Sequence, residues 1–537
     1  MKTIQQVCLF ILFTFSVYSA QSQSIEVSGD IASNTTWYQD SIFMVGDVHV
    51  LPNVVLTINP GTYVESQGYH RLQVSGSILA IGSIGDSIIF TVNNTAGFWQ
   101  DTTSVTGGWG GIVLSNSISS SDSSVFNCCR FQYGKKCDGY NDDVLGGAIC
   151  ARNYHSLTIK NSLFFSNQVI CPENGIYGSK GGAIYCDSVN EVVIDSNWFQ
   201  QNRSFDSGGA IAIKEQCGVT ISNNTFYRNR AIRYKFTSIG LVVHGVGGAI
   251  YTSDALGLSP KIYNNYCFNN QTTNGTIYMS NRNGLIFNNV ICNNYGSGIL
   301  DGHQLSTTHI FNNTIVNNQS WGGGIEIFSK AIIYNNICWG NQYSHGQQRS
   351  QIYIYDAFAD CQLFNNCVEY GMSGEQGIYD EPQFVDASLG FGLVYDGMMA
   401  DWSLSILSPC INSGTADTAG LFIPDIDIQG QTRILGNRIE MGAIENQYIF
   451  VGFEENETAE AVLTIFPNPG TDQLFIECDC EEGDFEMYSS TGQLVALQHV
   501  TGDIRHVVTG SLPSGMYSYR LLDGDHQTIG SGKWIRK

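Results

Sequence analysis

Gly208-Gly209-Ala210-Ile211, then Ile221-Ser222-Asn223-Asn224, then Phe226 with Asn229 three residues on: this stretch decides the fold because it recurs. The glycine pair returns as Gly146-Gly147-Ala148-Ile149, Gly181-Gly182-Ala183-Ile184 and Gly247-Gly248-Ala249-Ile250. Weaker copies stand at Gly275-Thr276-Ile277, Gly298-Ile299, Gly324-Ile325 and Ile352. Successive isoleucines lie 35, 27, 39, 27, 22, 26 and 27 residues apart, so a rung of 26 or 27 residues carries loop insertions in its longer copies. An Asn-rich turn closes each second strand, as in Ile194-Asp195-Ser196-Asn197, Ile262-Tyr263-Asn264-Asn265 and Ile286-Phe287-Asn288-Asn289. A third element sets an apolar residue three before an Asn, at Phe164/Asn167, Phe199/Asn202, Cys267/Asn270 and Cys338/Asn341.

Each rung is too short to bury a face alone. Stacking rungs about 4.8 Å apart pairs every strand with its copies above and below. Aligned Asn residues tolerate left-handed turns and can hydrogen-bond along the stack, while aligned Ile and Phe fill a continuous core. No apolar period of 3.6 residues is sustained, which excludes a helical solenoid. The fold class expected is all-β: a right-handed parallel β-helix, its hand set by the crossover rule, followed by a small immunoglobulin-like β-sandwich. Within the stack, Asn288 and Asn312 are expected to face each other at one turn within amide hydrogen-bonding distance. Cys267 and Cys338 fill the slot of Phe164, Phe199 and Phe226, and are expected to be reduced core residues.

The 537 residues carry a net charge of −23 with only 14% charged side chains, a balance that argues against nucleic-acid binding. Met1-Lys2, an apolar run from Val7 to Val17, and Ala20-Gln21-Ser22 have the layout of a secretory signal peptide cleaved after Ser22. That run is too short to span a bilayer, and no later stretch is long and apolar enough, so no transmembrane segment is expected. Fifteen of the sixteen cysteines remain once Cys8 leaves with the leader, an odd number that requires a free or intermolecular thiol. Cys478 and Cys480 form a C-x-C pair that could react. No C-x₂-C zinc spacing and no H-E-x-x-H occurs.

The chain divides into a signal peptide (1–22), a β-helix with its N-terminal cap and C-terminal closing segment (23–447), an acidic linker (448–461) and a C-terminal module (462–537). The G-G-A-I and F-x-x-N repeats over residues 145–345 resemble those of the polymorphic outer membrane protein family and of bacterial right-handed β-helix proteins generally. The run from Pro382 to Glu445 resembles the tail that closes many secreted bacterial β-helices. Pro467-Asn468-Pro469, Thr491-Gly492-Gln493-Leu494-Val495, Leu512-Pro513-Ser514-Gly515-Met516-Tyr517 and the terminal Lys533-Trp534-Ile535-Arg536-Lys537, in that order, closely resemble the type IX secretion sorting domain. That likeness implies the type IX machinery as partner of residues 462–537, and the extracellular space or cell surface of a Gram-negative bacterium as destination.

Chemistry is less legible. The paired carboxylates, G-H-G and R-I-K of polygalacturonases are missing: Asp142-Asp143 is isolated and Gly302-His303-Gln304 breaks the pattern. Alternation from the repeat Ile places Arg152, Asp187 and Lys214 outward on successive rungs, with Glu215 beside them. This column reads either as a candidate lyase site, with a base and cations for a uronate carboxylate, or as a solvated cross-strand ladder. The outward position one after the Ile reads Tyr185, Ala212, Tyr251, Tyr278, Leu300, Glu326, Tyr353. The tyrosines Tyr185, Tyr251, Tyr278 and Tyr353 are a candidate platform for a sugar chain or protein partner, or residues that simply suit strands. Asp425 and Asp427, followed by Gly430, are either an acidic turn or part of a Ca²⁺ site, the only cofactor the sequence suggests. The function expected is binding of extracellular material, with carbohydrate or an adhesion partner foremost. The alternative is a polysaccharide lyase or glycoside hydrolase working in the β-helix groove.

Overall fold

A computed structural model resolves the chain into two compact units, residues 1–447 and 448–537. The structure describes residues 23–447 and 464–537 apart from 116–122, 138–143, 171–177, 238–239, 255–257, 282, 303–306, 321, 329, 344–349, 356–359, 417–422, 424, 436–437, 478–481, 491, 502–503 and 525–527. The expected signal peptide, the linker, Asp142-Asp143, His303, Cys478 and Cys480 lie outside the described residues.

In the first unit, thirty-three strands form one continuous parallel array, with no α-helix among the described residues. Each rung presents three faces. The first stacks Ile112, Ile149, Ile184, Ile211, Ile250, Ile277, Ile299, Ile325 and Ile352 in register. The second stacks Phe126, Ile159, Ile194, Ile221, Ile262, Ile286, Ile310, Ile333 and Leu363. The third stacks Phe90, Phe131, Phe164, Phe199, Phe226, Cys267, Ile291, Ile315, Cys338 and Val368. Ring centroids from Phe131 to Phe226 are 4.6–4.9 Å apart, the rung spacing itself. Cys267 and Cys338 are fully buried free thiols with Ile291 and Ile315 between them. The longest Ile spacing, 39 residues, is taken up by an antiparallel hairpin, Arg233–Thr237 with Gly240–His244.

The glycine pair has two distinct jobs. The first member adopts left-handed φ of +59° to +68° at Gly146, Gly181, Gly208 and Gly247. At the second, a Cβ on Gly182 or Gly209 would lie 2.1 Å from the carbonyl oxygen of the equivalent glycine one rung on.

Two columns of fully buried carboxamides hold the turns. One runs Asn197, Asn224, Asn265, Asn289, Asn313, Asn336, Asn366, each Nδ2 donating to the next Oδ1 at 2.9–3.0 Å. The other runs Asn167, Asn202, Asn229, Asn270, Asn294, Asn318, Asn341 and ends on Gln351 Oε1, with bonds of 2.8–3.0 Å. Main-chain groups complete the set: Asn313 Oδ1 also accepts the Asn289 N–H, and its Nδ2 also donates to the Ile286 and Phe311 carbonyls. The ladder therefore uses the second Asn of each pair, which corrects the expectation for Asn288 and Asn312. Those two share one turn position, but both take φ of +52°, which turns their side chains away from the core. Asn312 Nδ2 donates to Glu440 O at 3.1 Å, while Asn288 Nδ2 has no partner among the described residues.

The C-terminal part of the unit does more than close the end. Glu375 and Ile378 bridge to Phe364 and Cys367 and finish the stack. The chain then runs back along the third face, where the lower rungs turn apolar residues outward: Phe268, Val290, Cys292, Val316 and Ile337 are buried beneath Trp402, Leu404, Met441 and Ala443. Left-handed Asn residues dock this cover: Asn317 Nδ2 donates to Ser388 Oγ at 2.9 Å, Asn293 to Gly390 O at 2.8 Å and Asn269 to Tyr395 O at 2.7 Å. On the second face a further outward stack, Tyr263, Phe287, Phe311, Tyr334 and Phe364, has centroids 4.8–4.9 Å apart.

The second unit is two antiparallel sheets around one core. Thr464–Phe466, Gln473–Glu477 and Ile504–Val508 form one, and Glu482–Tyr488, Leu494–Thr501, Gly515–Leu522 and Thr528–Arg536 the other. Leu474, Ile476 and Val507 of the first meet Phe485, Met487, Leu521 and Trp534 of the second.

The ladder gives a sharp contrast between neighbours. Asn313→Ala orphans a buried N–H and two carbonyls and is expected to lower stability by about 3 kcal/mol. Asn288→Gly, at a left-handed position whose side-chain Nδ2 has no partner among the described residues, is expected to change it by less than about 1 kcal/mol. Equilibrium denaturation of the two variants checks this, and equal losses would contradict the ladder's register.

Candidate functional site

The first face carries two outward columns because its inward isoleucines fix the parity of every strand. Arg152 pairs in register with Asp187, and Lys214 N donates to Cys186 O, so Arg152, Asp187 and Lys214 do occupy successive rungs of one column, with exposed Glu215 at its edge. The Asp187 carboxylate accepts from Tyr185 Oη and Ser188 Oγ, both at 3.1 Å. No ion pair joins the three charged residues among those described.

The tyrosine column is equally in register, through Cys150, Tyr185, Ala212, Tyr251, Tyr278, Leu300, Glu326 and Tyr353. It is not a uniformly open platform. Tyr185 is only 2% exposed, enclosed with Leu145, Cys150 and Ala212, and burial pushes its hydroxyl pKa up. Tyr251 and Tyr278 are half-buried and stack at 5.4 Å.

Farther down, the charged column changes character: its positions become Ser253, Ser280, Gly302, Phe328 and Tyr355. Here the face opens into a groove of about 300 Å³ lined by Tyr278, Leu300, Gly302, Glu326, Phe328 and Tyr355, with His244, Val246 and Asn274 as its other wall. Phe328 and Tyr355 are exposed and stack at 3.9 Å. Glu326 is 4% exposed, and Tyr355 Oη donates to its Oε2 at 2.7 Å. Two glycines make the room. A Cβ at Gly302 would lie 2.5 Å from Tyr278 Oη, and one at Gly322 would lie 2.2 Å from the Glu326 carboxyl carbon. Glu326 stood in the sequence-read column without a role. Phe328 and Tyr355 continue the spacing of Arg152, Asp187 and Lys214, so the same period could have found them.

Asp427 is buried, and its carboxylate is taken by three main-chain donors: Gln429 and Gln431 N on Oδ1, Glu445 N on Oδ2. Asp425 is exposed on the same hairpin. No group of three His, Cys, Asp or Glu able to hold a metal occurs among the described residues.

In the second unit the sequence motifs interlock. Asn468 accepts from Ile535 N at 3.0 Å and donates to Lys533 O at 2.7 Å, Trp534 Nε1 donates to Pro467 O at 2.8 Å, and Tyr517 Oη donates to Pro513 O at 2.6 Å. Residues 464–535 match the family model of the secretion system C-terminal sorting domain, and residues 173–338 match that of the right handed beta helix region. The chain is a right-handed β-helix with a C-terminal sorting domain. No curated protein matches it. The sorting domain implies handling by the type IX secretion system and points to a secreted or cell-surface location, and no helix among the described residues is long and apolar enough to cross a membrane.

The cover of the β-helix contains a buried charge cluster. Arg433 Nη1 lies 3.4 Å from Glu445 Oε2, both side chains 1% exposed, with Glu440 and Asp427 alongside and Tyr266 facing Asp427 from the solenoid. One guanidinium cannot balance three carboxylates. At Glu440 and Glu445 burial outweighs the Arg433 charge and the N–H donors of Asn446 and Glu440, pushing Glu440 up to about 7 and Glu445 up to about 8 from an ordinary 4.5. Folding thus favours their protonated forms. That contribution is complete below about pH 4.5 and is lost as pH rises through 7 and 8. The denaturation midpoint is expected to fall between pH 5 and 8, with Glu440→Gln flattening the profile; a midpoint that rises over this range would contradict the assignment.

Proposed function

We propose that this protein is exported through its sorting domain and binds extracellular carbohydrate in the first-face groove. The observation that carries this reading is Glu326, a buried carboxylate set between Tyr278 and the stacked Phe328–Tyr355 pair in a concave site. Aromatic faces suit the C–H faces of a sugar ring, and a carboxylate with a phenol beside it suits its hydroxyls. Glu326 is the one carboxylate among the groove's described lining residues, whereas glycoside hydrolysis uses a pair. Binding therefore fits the groove better than hydrolysis.

The Arg152–Asp187–Lys214 column supports a second reading. Two cations flanking a carboxylate in register could take the carboxyl groups of an acidic polysaccharide, and a lyase would draw its base from Lys214. The tyrosines Tyr251, Tyr278 and Tyr353 connect the two regions along one face.

A panel of neutral and acidic polysaccharides, assayed with the full chain for binding and for new reducing or unsaturated ends, separates these readings. Glu326→Gln and Phe328→Ala are each expected to weaken binding about tenfold, with no new ends produced. Chain cleavage lost on Lys214→Ala would establish the lyase instead. Export has its own test. A chain lacking residues 462–537 is expected to accumulate in the periplasm of a type IX-secreting host, and normal surface delivery of that truncation would remove the export reading.

A further inference from the structure

Cys367 and Cys410 are 43 residues apart in sequence and meet where the last rung joins the cover. Cys367 opens the terminal strand Cys367–Val368, and its N–H donates to Asn336 O at 2.8 Å. Cys410 is fixed on the cover: its N–H donates to Ser408 Oγ, and its carbonyl accepts from Met441 N, both at 3.2 Å. Both side chains are fully buried in one cluster and both are free thiols; the Cys410 thiol lies against that of Cys367, whose Sγ–H donates to Asp380 O at 3.4 Å. The core thiols Cys267 and Cys338 differ, since other rungs lie between them.

We propose that Cys367 and Cys410 form a disulfide in the exported protein and so fasten the cover to the end of the solenoid. The source of the oxidant rests on the export reading, since oxidising compartments lie along that route. A thiolate of one cysteine attacks the disulfide of a protein or small-molecule oxidant, forming a mixed disulfide and releasing the first leaving thiolate. The second cysteine's thiolate then attacks the sulfur of the first, releasing the other. Two cysteine protons pass to the two leaving thiolates, the pair loses two electrons and the oxidant gains them. Once docked, the thiols are shielded, and the neighbouring Cys410 thiol together with burial pushes the Cys367 pKa far up. The exchange therefore belongs to folding, before the cover seats. It closes a loop spanning 43 residues, and a cross-link removes more freedom from the unfolded chain the longer the loop it closes.

The test refolds the full chain with oxidised glutathione, independently of any export, and maps its peptides without reduction. No Lys or Arg lies between Ser350 and Thr432, so cleavage at Phe364, Glu369 and Asp401 is used to separate Cys361, Cys367 and Cys410. A Cys367–Cys410 peptide two hydrogens lighter than its reduced parts is expected, both here and in protein recovered from a type IX-secreting host. Refolding with a reductant should lower Tm by roughly 5 °C in the natural chain and leave Cys367→Ala/Cys410→Ala unchanged. Recovery of both cysteines as alkylated thiols after oxidative refolding, or of either one linked to Cys361, overturns the proposal. A cross-link found after refolding but missing from the exported protein would place the fault in the export route and overturn its occurrence there.

Discussion

A carboxamide that can donate twice and accept twice, buried at a turn with main-chain groups on either side, is the constraint from which the β-helix follows. Strand pairing between rungs satisfies the backbone along each face but not at the corners, where the chain bends out of the sheet. Asn313 shows the solution: it takes the N–H of the rung before, shares its own two hydrogens among two carbonyls and the next Asn, and leaves nothing unpaired. Because that arrangement is local to the corner, the rest of the rung can vary. A rung of 22 residues and one of 39 stack in the same register, the longer one carrying its surplus as the hairpin Arg233–Thr237/Gly240–His244.

Much of this architecture is legible in the amino-acid sequence, because the inward isoleucines and phenylalanines recur at fixed phase and parity does the rest. Arg152, Asp187 and Lys214 fall where alternation places them. The phase fails by one residue at Asn288-Asn289, where both members of the pair are Asn and the pattern alone cannot say which turns inward. The left-handed bend at Asn288 decides it. Exposure fails at Tyr185 for another reason. Alternation says which side of a strand a residue takes, not whether Leu145 from a neighbouring loop will lie over it. The cover escapes the pattern likewise, although its cause is visible in the sequence. Outward positions on the third face shift from Arg130 and Gln132 to Val290, Cys292 and Val316 down the stack.

The same repeat that builds the scaffold also explains where its chemistry sits. A parallel stack converts a position in the rung into a line along the molecule, so each outward position becomes a track whose residues need not repeat. On one such track charge gives way to serine, then glycine, then stacked aromatic rings. The groove appears where glycine removes side-chain bulk and the inserted hairpin supplies His244 as an opposing wall. The half of the site contributed by the repeat can be found by counting residues; the half contributed by the insertion follows no period.

The buried carboxamides also give the solenoid a direction. Every bond in both columns runs the same way, amide nitrogen toward the C-terminal rung, so each column is an aligned chain of dipoles in which each bond polarises the next. Such a chain ends in donors that seek an acceptor, which is the property that lets stacked strands template further copies into fibres. Here the last donors are already satisfied. Asn341 Nδ2 gives one hydrogen to Gln351 Oε1 and one to the Ile315 carbonyl, and Asn366 gives one to the Ser373 carbonyl. At its C-terminal end the ladder thus finishes as a terminated polymer rather than a growing one, its last carboxamide donors in both columns already engaged.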